Sequence, residues 1–277
     1  MFNFIANIFG YLLNFIYNLL NNYGFAIIIF SILVKLILLP LTIKQQKTMK
    51  KTAKLQEEMK SLQFKYKNDP DKLNKEMMDM YKRENVSPFS GCLSSIVQLV
   101  LILAVFYLVR SPLTYMKKVD TNIINDYTAK IETKTNYPEV EIVKEFGEED
   151  ENVYINMDFL GLDLSSVPTT NLSNFKTLII PFLYVISSIV STKLTMNMQN
   201  KDKKVENSEE KENKEESPEE VMQNTTKTMS YMMPVMAFSI SLVAPLGLAL
   251  YWLMSNILMI VERIFINKIM VKKEEVI

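Results

Sequence analysis

The chain has 277 residues, with 31 Lys and Arg against 31 Asp and Glu, and 48% of its residues are apolar. Charged residues are absent from 1–34, 91–109 and 228–261, and such uncharged apolar runs of about 18 residues or more are typical of membrane spans, not of a soluble enzyme. The absence of His and the presence of one Cys exclude catalysis by His, a metal centre built from His or Cys, and a disulfide within the chain.

The first predicted element is an amphipathic helix within residues 1–23. Its Asn residues at 3, 7, 14 and 18 fall on one helical stripe, and large apolar residues occupy the other side. This pattern indicates a helix that lies in the outer interface of the membrane. The alternatives are a cleaved signal peptide or a sixth span, although the segment has neither the basic residues nor the small-residue cleavage site of a signal peptide.

Five membrane spans are predicted after this helix, which makes the chain an all-α integral membrane protein. As one helix, the uncharged run 228–261 would be about 51 Å long, against a hydrocarbon core of about 30 Å. We therefore divide it into two short helices at Pro245 and Gly247. The predicted spans are 24–43, 91–110, 175–192, 228–245 and 246–265.

The distribution of basic residues predicts the orientation of these spans. Segment 44–90 has 12 Lys and Arg against 7 acidic residues, whereas loop 111–174 has 5 against 12. Cytoplasmic segments carry the excess of Lys and Arg, which places 44–90, 193–227 and the tail 266–277 in the cytoplasm. The N-terminus and loop 111–174 are then external, on the side of the membrane opposite the cytoplasm. Segment 193–227 contains a charged low-complexity stretch, 200–220, that we expect to be disordered.

Segment 44–90 is predicted to form a cytoplasmic helical hairpin. Apolar residues recur at helical spacing on both sides of Asp69 and Pro70, a pair that is typical of a helix start. The apolar seam can either close the hairpin or serve as a docking face for partners, for which flexible Met side chains are suited. The candidate docking residues are Met59, Leu62, Met77 and Met80.

Lys35 is the candidate site residue with the strongest physical argument. It lies in the middle of the first span, and an ionisable residue at that depth indicates a functional site. No acidic residue is expected at the same depth, since Glu262 follows the last uncharged run at its cytoplasmic end. Lys35 then lines a water-filled groove, or it packs between helices as a polar contact. The candidate groove residues are Ser31, Lys35, Thr42, Ser94, Gln98, Ser191, Ser239, Trp252 and Asn256.

Four stretches of the chain resemble the YidC/Oxa/Alb family of membrane protein insertases. They are GFAIIIFSILVKLILLPLTIKQQK at 24–47, NVSPFSGCLSSIVQLVLILAVFYLVR at 85–110, FLGLDLS at 159–165 and PLGLALYWLMSNILMIVER at 245–263. The resemblance implies five core helices around a hydrophilic groove that opens to the cytoplasm and to lipid. It also implies that Lys35 stands where the family carries Arg, which keeps the charge but loses the bidentate fork.

The function implied by this resemblance is insertion and folding of nascent membrane proteins, alone or beside the Sec translocon. The expected partners are nascent membrane proteins, the ribosome and the lipid bilayer, with no recognition of nucleic-acid sequence. We expect no enzyme activity, cofactor or metal, because the sequence offers no set of nucleophile and base. The alternatives are a small transporter or anion channel that uses Lys35, although no internal repeat supports it, and a scaffold for which Lys35 is dispensable.

Overall fold

The computed structural model describes residues 2–84, 90–132, 135–170, 174–201, 232 and 234–274. The described residues are almost entirely helical, so the prediction of an all-α protein is confirmed. A two-stranded antiparallel hairpin, β1 (Asp158–Phe159) and β2 (Leu162–Asp163), is the sheet that they contain. The helices are α1 (Phe2–Leu20), α2 (Tyr23–Lys65), α3 (Pro70–Arg83), α4 (Ser90–Arg110), α5 (Thr121–Lys130), α6 (Pro138–Phe146), α7 (Ile179–Lys201), α8 (Pro234–Val243) and α9 (Leu246–Glu274).

Several helices in the described part of the chain could cross a membrane. By length and composition, the candidates are Phe2–Leu20, Tyr23–Thr48, Phe175–Met196 and Leu246–Ile266. Two shorter apolar helices, Leu99–Arg110 and Pro234–Val243, fall within the predicted spans 91–110 and 228–245. Residues 202–231, which hold most of the stretch predicted to be disordered and the start of the fourth span, lie outside the described residues.

Three different faces run along α1. One face is buried against the bundle and carries small residues in its first half and large residues in its second half. A second face is exposed although it is apolar, and the Asn residues at 3, 7 and 18 are exposed on a third. The buried residues are Ala6, Gly10, Leu13, Ile16 and Tyr17, and the exposed apolar ones are Phe4, Ile8, Tyr11, Phe15 and Leu19.

Contacts between α1 and loop 111–174 are spread along the helix. Lys118 Nζ donates a hydrogen bond to Asn7 Oδ1 (2.5 Å), and the hydroxyl of Tyr17 accepts one from the backbone N–H of Asn156 (2.8 Å). Ten residues, or about 15 Å of helix, separate these two contacts. The helix α1 therefore lies along this loop instead of touching it at one end.

The hairpin predicted at 44–90 begins as a continuation of the first predicted span. Helix α2 runs without a break for 43 residues, and α3 then packs back against its end. Asp69 caps α3 by accepting the backbone N–H of Lys72 (3.1 Å), and Pro70 occupies the first helical position. Both features agree with the helix start that the sequence indicates.

Loop 111–174 is folded and joins the core of the bundle. Helices α5 and α6 pack together, with the rings of Tyr127 and Phe146 at 4.9 Å, and Ile142 and Val153 are fully buried. A five-residue π-helical turn, Leu113–Lys117, reverses the chain after α4. The charge distribution predicted only that 111–174 is an external loop, and the structure adds these helices.

A buried carboxylate holds the π-helical turn in place. The backbone N–H of Thr114 donates to Glu139 Oε2 (2.9 Å), and the hydroxyl of Thr114 donates to Oε1 (2.7 Å). Burial raises the pKa of Glu139, although hydrogen bonds from Thr114, Leu113 and Ser111 act in the opposite direction. Because the carboxylate satisfies donors at the start of the turn, Glu139 links α6 to the end of α4.

The raised pKa of Glu139 predicts that acid stabilises this part of the fold. At low pH Glu139 is protonated in both the folded and the unfolded state. As the pH rises above the ordinary Glu pKa, this carboxyl group ionises in the unfolded state before it ionises in the folded state. The free energy of unfolding therefore falls as the pH rises through the folded-state pKa. Thermal unfolding of the purified protein in detergent, at about pH 4.5 and about pH 7.5, measures this difference.

The Glu139→Gln variant isolates this contribution from those of other carboxyl groups. Asp150 acts in the opposite direction, because hydrogen bonds from Asn152 and Tyr127 lower its pKa. We therefore compare the pH dependence of the variant with that of the wild type, not the wild type alone. The increase in Tm on acidification should be smaller in Glu139→Gln than in the wild type. An equal increase in both proteins would contradict the raised pKa of Glu139.

Loop 111–174 also fixes the starts of α2 and α9. The backbone N–H of Tyr23 donates to the carbonyl of Asn156 (3.0 Å). The backbone N–H of Leu246 donates to the carbonyl of Ser166, and that of Gly247 to the carbonyl of Leu164, both at 2.9 Å. Both helices therefore begin at the same loop and run away from it in the same direction.

Candidate functional site

The parallel course of α2 and α9 brings a cation and an anion to one level. Lys35 lies twelve residues after Tyr23, and Glu262 lies sixteen residues after Leu246. These offsets correspond to about 18 Å and about 24 Å of helix. An extended Lys side chain covers the remaining difference of about 6 Å. The two charged groups can therefore meet within the bundle.

The structure places Lys35 Nζ 3.4 Å from Glu262 Oε2, and the two side chains are 21% and 8% exposed. The expectation that Lys35 has no acidic partner at its own depth is therefore wrong. Glu262 was assigned to the cytoplasmic end because the uncharged run stops at residue 261, but α9 continues to Glu274 and its apolar segment extends to Ile266.

A narrow cleft between α2, α4 and α9 surrounds the Lys35 side chain. The space that water can occupy within it is about 20 Å³, which is room for roughly one water molecule. The cleft is therefore almost filled by its own side chains, an arrangement that we call closed, although 21% of the Lys35 side chain remains exposed. The lining residues are Ser31, Val34, Lys35 and Leu38 of α2, Leu101 and Val105 of α4, and Tyr251 and Ser255 of α9.

Two hydroxyl groups of α2 are satisfied by the carbonyls of their own helix. Ser31 donates to the carbonyl of Ile27 (2.7 Å) and Thr42 to that of Leu38 (3.2 Å). Within the described part of the chain, Glu262 is the hydrogen-bond partner found for Lys35 Nζ. The charge pair, more than a ring of hydroxyl groups, therefore determines the polarity of the closed cleft.

Of the predicted groove residues whose side chains are described, Ser31 and Lys35 line this cleft. Trp252 instead stacks on Tyr184 of α7, with ring centroids 5.9 Å apart. Ser191 is buried, Ser239 is exposed and Asn256 is half-buried. The structure adds Tyr251 to the lining, beside Ser255, and both belong to the α9 motif that contains Trp252. The side chains of Ser94 and Gln98 lie outside the described residues.

The hairpin places its predicted docking residues mainly in its own seam. Met80 is buried against Leu55, and Met59 and Leu62 pack beside them. The hydroxyl of Tyr81 lies 3.1 Å from Met59 Sδ. Met77 is half-buried, and an ion pair between Arg83 and Glu58 joins α3 to α2. Among the described residues, no group of Cys, Asp and Glu side chains is placed to hold a metal ion.

The helices and the charged cleft define a multi-pass membrane protein with an all-α core. Residues 15–274 match the family model described as 60Kd inner membrane protein, and the chain therefore belongs to that family. The resemblance that the four sequence stretches indicate is confirmed.

Relatives found by sequence comparison carry the name Membrane protein insertase YidC. The relative from Fusobacterium nucleatum is 28% identical over 268 residues, which are 97% of this chain and 97% of that protein. The relative from Treponema denticola is 28% identical over 269 residues, 97% of this chain and 38% of that protein. For the relative from Prosthecochloris aestuarii the identity is 30% over 257 residues, 91% and 35% of the two chains. The chain thus spans little more than a third of two of these relatives.

Proposed function

We propose that this protein is a membrane protein insertase, as its relatives are named. It receives a nascent chain from the cytoplasm, transfers a short hydrophilic tail across the membrane and releases the adjoining hydrophobic segment into lipid. The observation that carries the proposal, together with family membership, is the partly exposed side chain of Lys35 in a cleft between helices α2, α4 and α9. Nothing in these steps requires covalent chemistry, so we propose a protein that is not an enzyme.

The positive charge of Lys35 lowers the cost of bringing an acidic tail into the membrane. A carboxylate at the centre of a bilayer costs at least about 2.5 kcal/mol, and a nearby cation offsets part of that cost. Burial of the hydrophobic segment in lipid then contributes about 0.8 kcal/mol for each CH₂ group removed from water. Together these terms can drive transfer of a short tail without nucleotide hydrolysis.

The closed cleft has to widen before it can admit a polypeptide. Room for about one water molecule is far too small for an extended chain. Its walls are helices from three separate segments, α2, α4 and α9, so separation of one wall from the others opens it. The remaining candidate groove residues, Thr42, Ser94, Gln98, Ser191, Ser239, Trp252 and Asn256, are proposed to face the substrate in that wider state.

The proposed topology places loop 111–174 and α1 at the outer surface. The contacts of α1 with this loop extend over about 15 Å, which favours a helix parallel to the surface over a sixth span. Its exposed apolar face then contacts lipid, and its Asn face contacts water and headgroups. The basic hairpin and the C-terminus lie in the cytoplasm of a bacterial cell.

The cytoplasmic hairpin is the proposed contact for the ribosome and the emerging nascent chain, with or without the Sec translocon. Because Met59, Leu62 and Met80 close its seam, the outward-facing residues provide the first contact. Phe64 is 88% exposed near the end of the hairpin, and Met78 is also exposed. The seam residues contact a partner only if α3 moves away from α2.

Complementation of a bacterium depleted of its own insertase tests the proposed function. We expect the wild-type chain to restore growth and membrane-protein insertion. A well-expressed wild-type chain that fails to do so would contradict the proposal and favour the small transporter.

A further inference from the structure

We infer that Glu262 is an internal counter-ion that the acidic tail of a substrate must displace from Lys35. Glu262 would thereby set how strongly the cleft prefers acidic over neutral tails. The inference rests on the proposed insertase function and adds a specificity-determining residue to it.

The ion pair is incomplete in a way that permits exchange. The distance from Lys35 Nζ to Glu262 Oε2 is 3.4 Å, whereas strong charge-assisted hydrogen bonds are about 2.7–2.9 Å. The second oxygen, Oε1, is buried without a hydrogen-bond partner among the described residues. Burial of a charge costs desolvation free energy, and an oxygen without a hydrogen-bond partner does not offset that cost. The geometry is therefore poor for stabilising the fold and suitable for replacement by another carboxylate.

Accessibility also favours exchange at this pair. Lys35 is the more exposed partner and lines the cleft, whereas Glu262 is mostly buried beside it. A carboxylate that enters the cleft therefore reaches the ammonium group directly.

Competition with Glu262 weakens the preference of the cleft for acidic tails. A neutral tail offers no carboxylate to Lys35, so it gains nothing from separating the pair, and separation of two charges at low dielectric is costly. An acidic tail can replace Glu262 as the partner of Lys35, but Glu262 then loses its own partner. Glu262 therefore lowers the affinity for acidic tails and changes the affinity for neutral tails little.

The test compares the wild type with Glu262→Gln in two measurements. The first is binding of a synthetic tail peptide with two Asp residues, and of its Asn counterpart, to the purified protein in detergent. The second is insertion of two matched substrates that carry these tails into liposomes containing only this protein. Without the competing carboxylate, affinity for the Asp peptide should rise about fivefold, while affinity for the Asn peptide changes little.

Matched variants separate this effect from general changes. Glu145→Gln removes one negative charge from an exposed position of loop 111–174 and should leave both affinities unchanged. Glu262→Asp keeps the charge on a shorter side chain and should give an intermediate increase for the Asp peptide. If Glu262→Gln does not fold, Glu262→Asp is compared with the wild type in its place.

The two measurements distinguish the counter-ion role from the proposed function. An unchanged or weaker affinity of Glu262→Gln for the Asp peptide would overturn the counter-ion role, even if the wild type inserts substrates. Tighter peptide binding without insertion by any variant would support the counter-ion role and overturn the insertase proposal.

Discussion

Lys35→Glu should reduce insertion of substrates with acidic tails by more than about tenfold. The new carboxylate would lie near Glu262 Oε2, which is now 3.4 Å from Lys35 Nζ, and both would repel the tail. Lys35→Arg should retain most of the wild-type insertion, because Arg keeps the charge and can contact a carboxylate through two N–H groups. Protease protection of a pulse-labelled substrate, in cells depleted of their own insertase, measures both variants.

A double variant separates the charge requirement from stability. Lys35→Leu alone leaves Glu262 buried and unpaired, which is expected to destabilise the fold by about 3–5 kcal/mol. Replacement of both partners by Leu removes that penalty, since an apolar pair in place of a buried ion pair is often neutral or stabilising. We expect the Lys35→Leu, Glu262→Leu protein to fold and to fail with acidic tails. Full insertion by this variant would show that the mechanism does not use the charge.

Gly10→Ala should cause the largest loss of stability among single-methyl changes that the structure suggests. A Cβ at this position would lie 1.8 Å from the carbonyl oxygen of Tyr115 and 2.6 Å from its carbonyl carbon. Both atoms belong to the backbone of the π-helical turn, so the contact cannot be relieved by rotating a side chain. We expect α1 to separate from the turn, with a cost of at least about 1–3 kcal/mol. That cost corresponds to a decrease of at least about 3 °C in Tm.

The comparison with Gly247→Ala controls for the general effect of adding a methyl group. A Cβ at Gly247 would meet its nearest atom, in the ring of Tyr23, at 3.4 Å, which is an ordinary van der Waals contact. Ala also keeps the backbone N–H that donates to the carbonyl of Leu164. Thermal unfolding in detergent should therefore show little change for Gly247→Ala. Equal Tm values for Gly10→Ala and wild type would contradict the close packing of α1.

Local sequence patterns predicted the elements whose stability depends on nearby residues. Asp69 and Pro70 mark the start of α3, since the cap and the first helical position are adjacent in sequence. The position of Lys35 in an apolar run predicted a polar site because burial of a charge is costly wherever the partner lies. Helix α6 also carries a local sequence pattern that indicates a helix. Pro138 stands at its start, and the buried residues Val140 and Val143 recur at helical spacing.

Features that depend on how helices pack could not be predicted in the same way. Glu262 is far from Lys35 in sequence, and the contact follows from the parallel course of α2 and α9. The hydroxyl of Ser31 was predicted to line a wet groove, but its bond to the carbonyl of Ile27 depends on a side-chain rotamer. Periodicity identifies which residues share a helix face, but not which partner that face meets.

Photocross-linking from the cleft to a nascent chain tests the central claim most directly. A photoreactive residue would replace Leu38, which lines the cleft, or Ile186, which is exposed on α7. In cells that hold a stalled nascent membrane protein with an acidic tail, we expect the tail to cross-link to position 38 and not to position 186. The same adduct should weaken in the Lys35→Leu, Glu262→Leu background. Equal cross-linking from both positions, or none from position 38, would contradict transfer of the tail through this cleft.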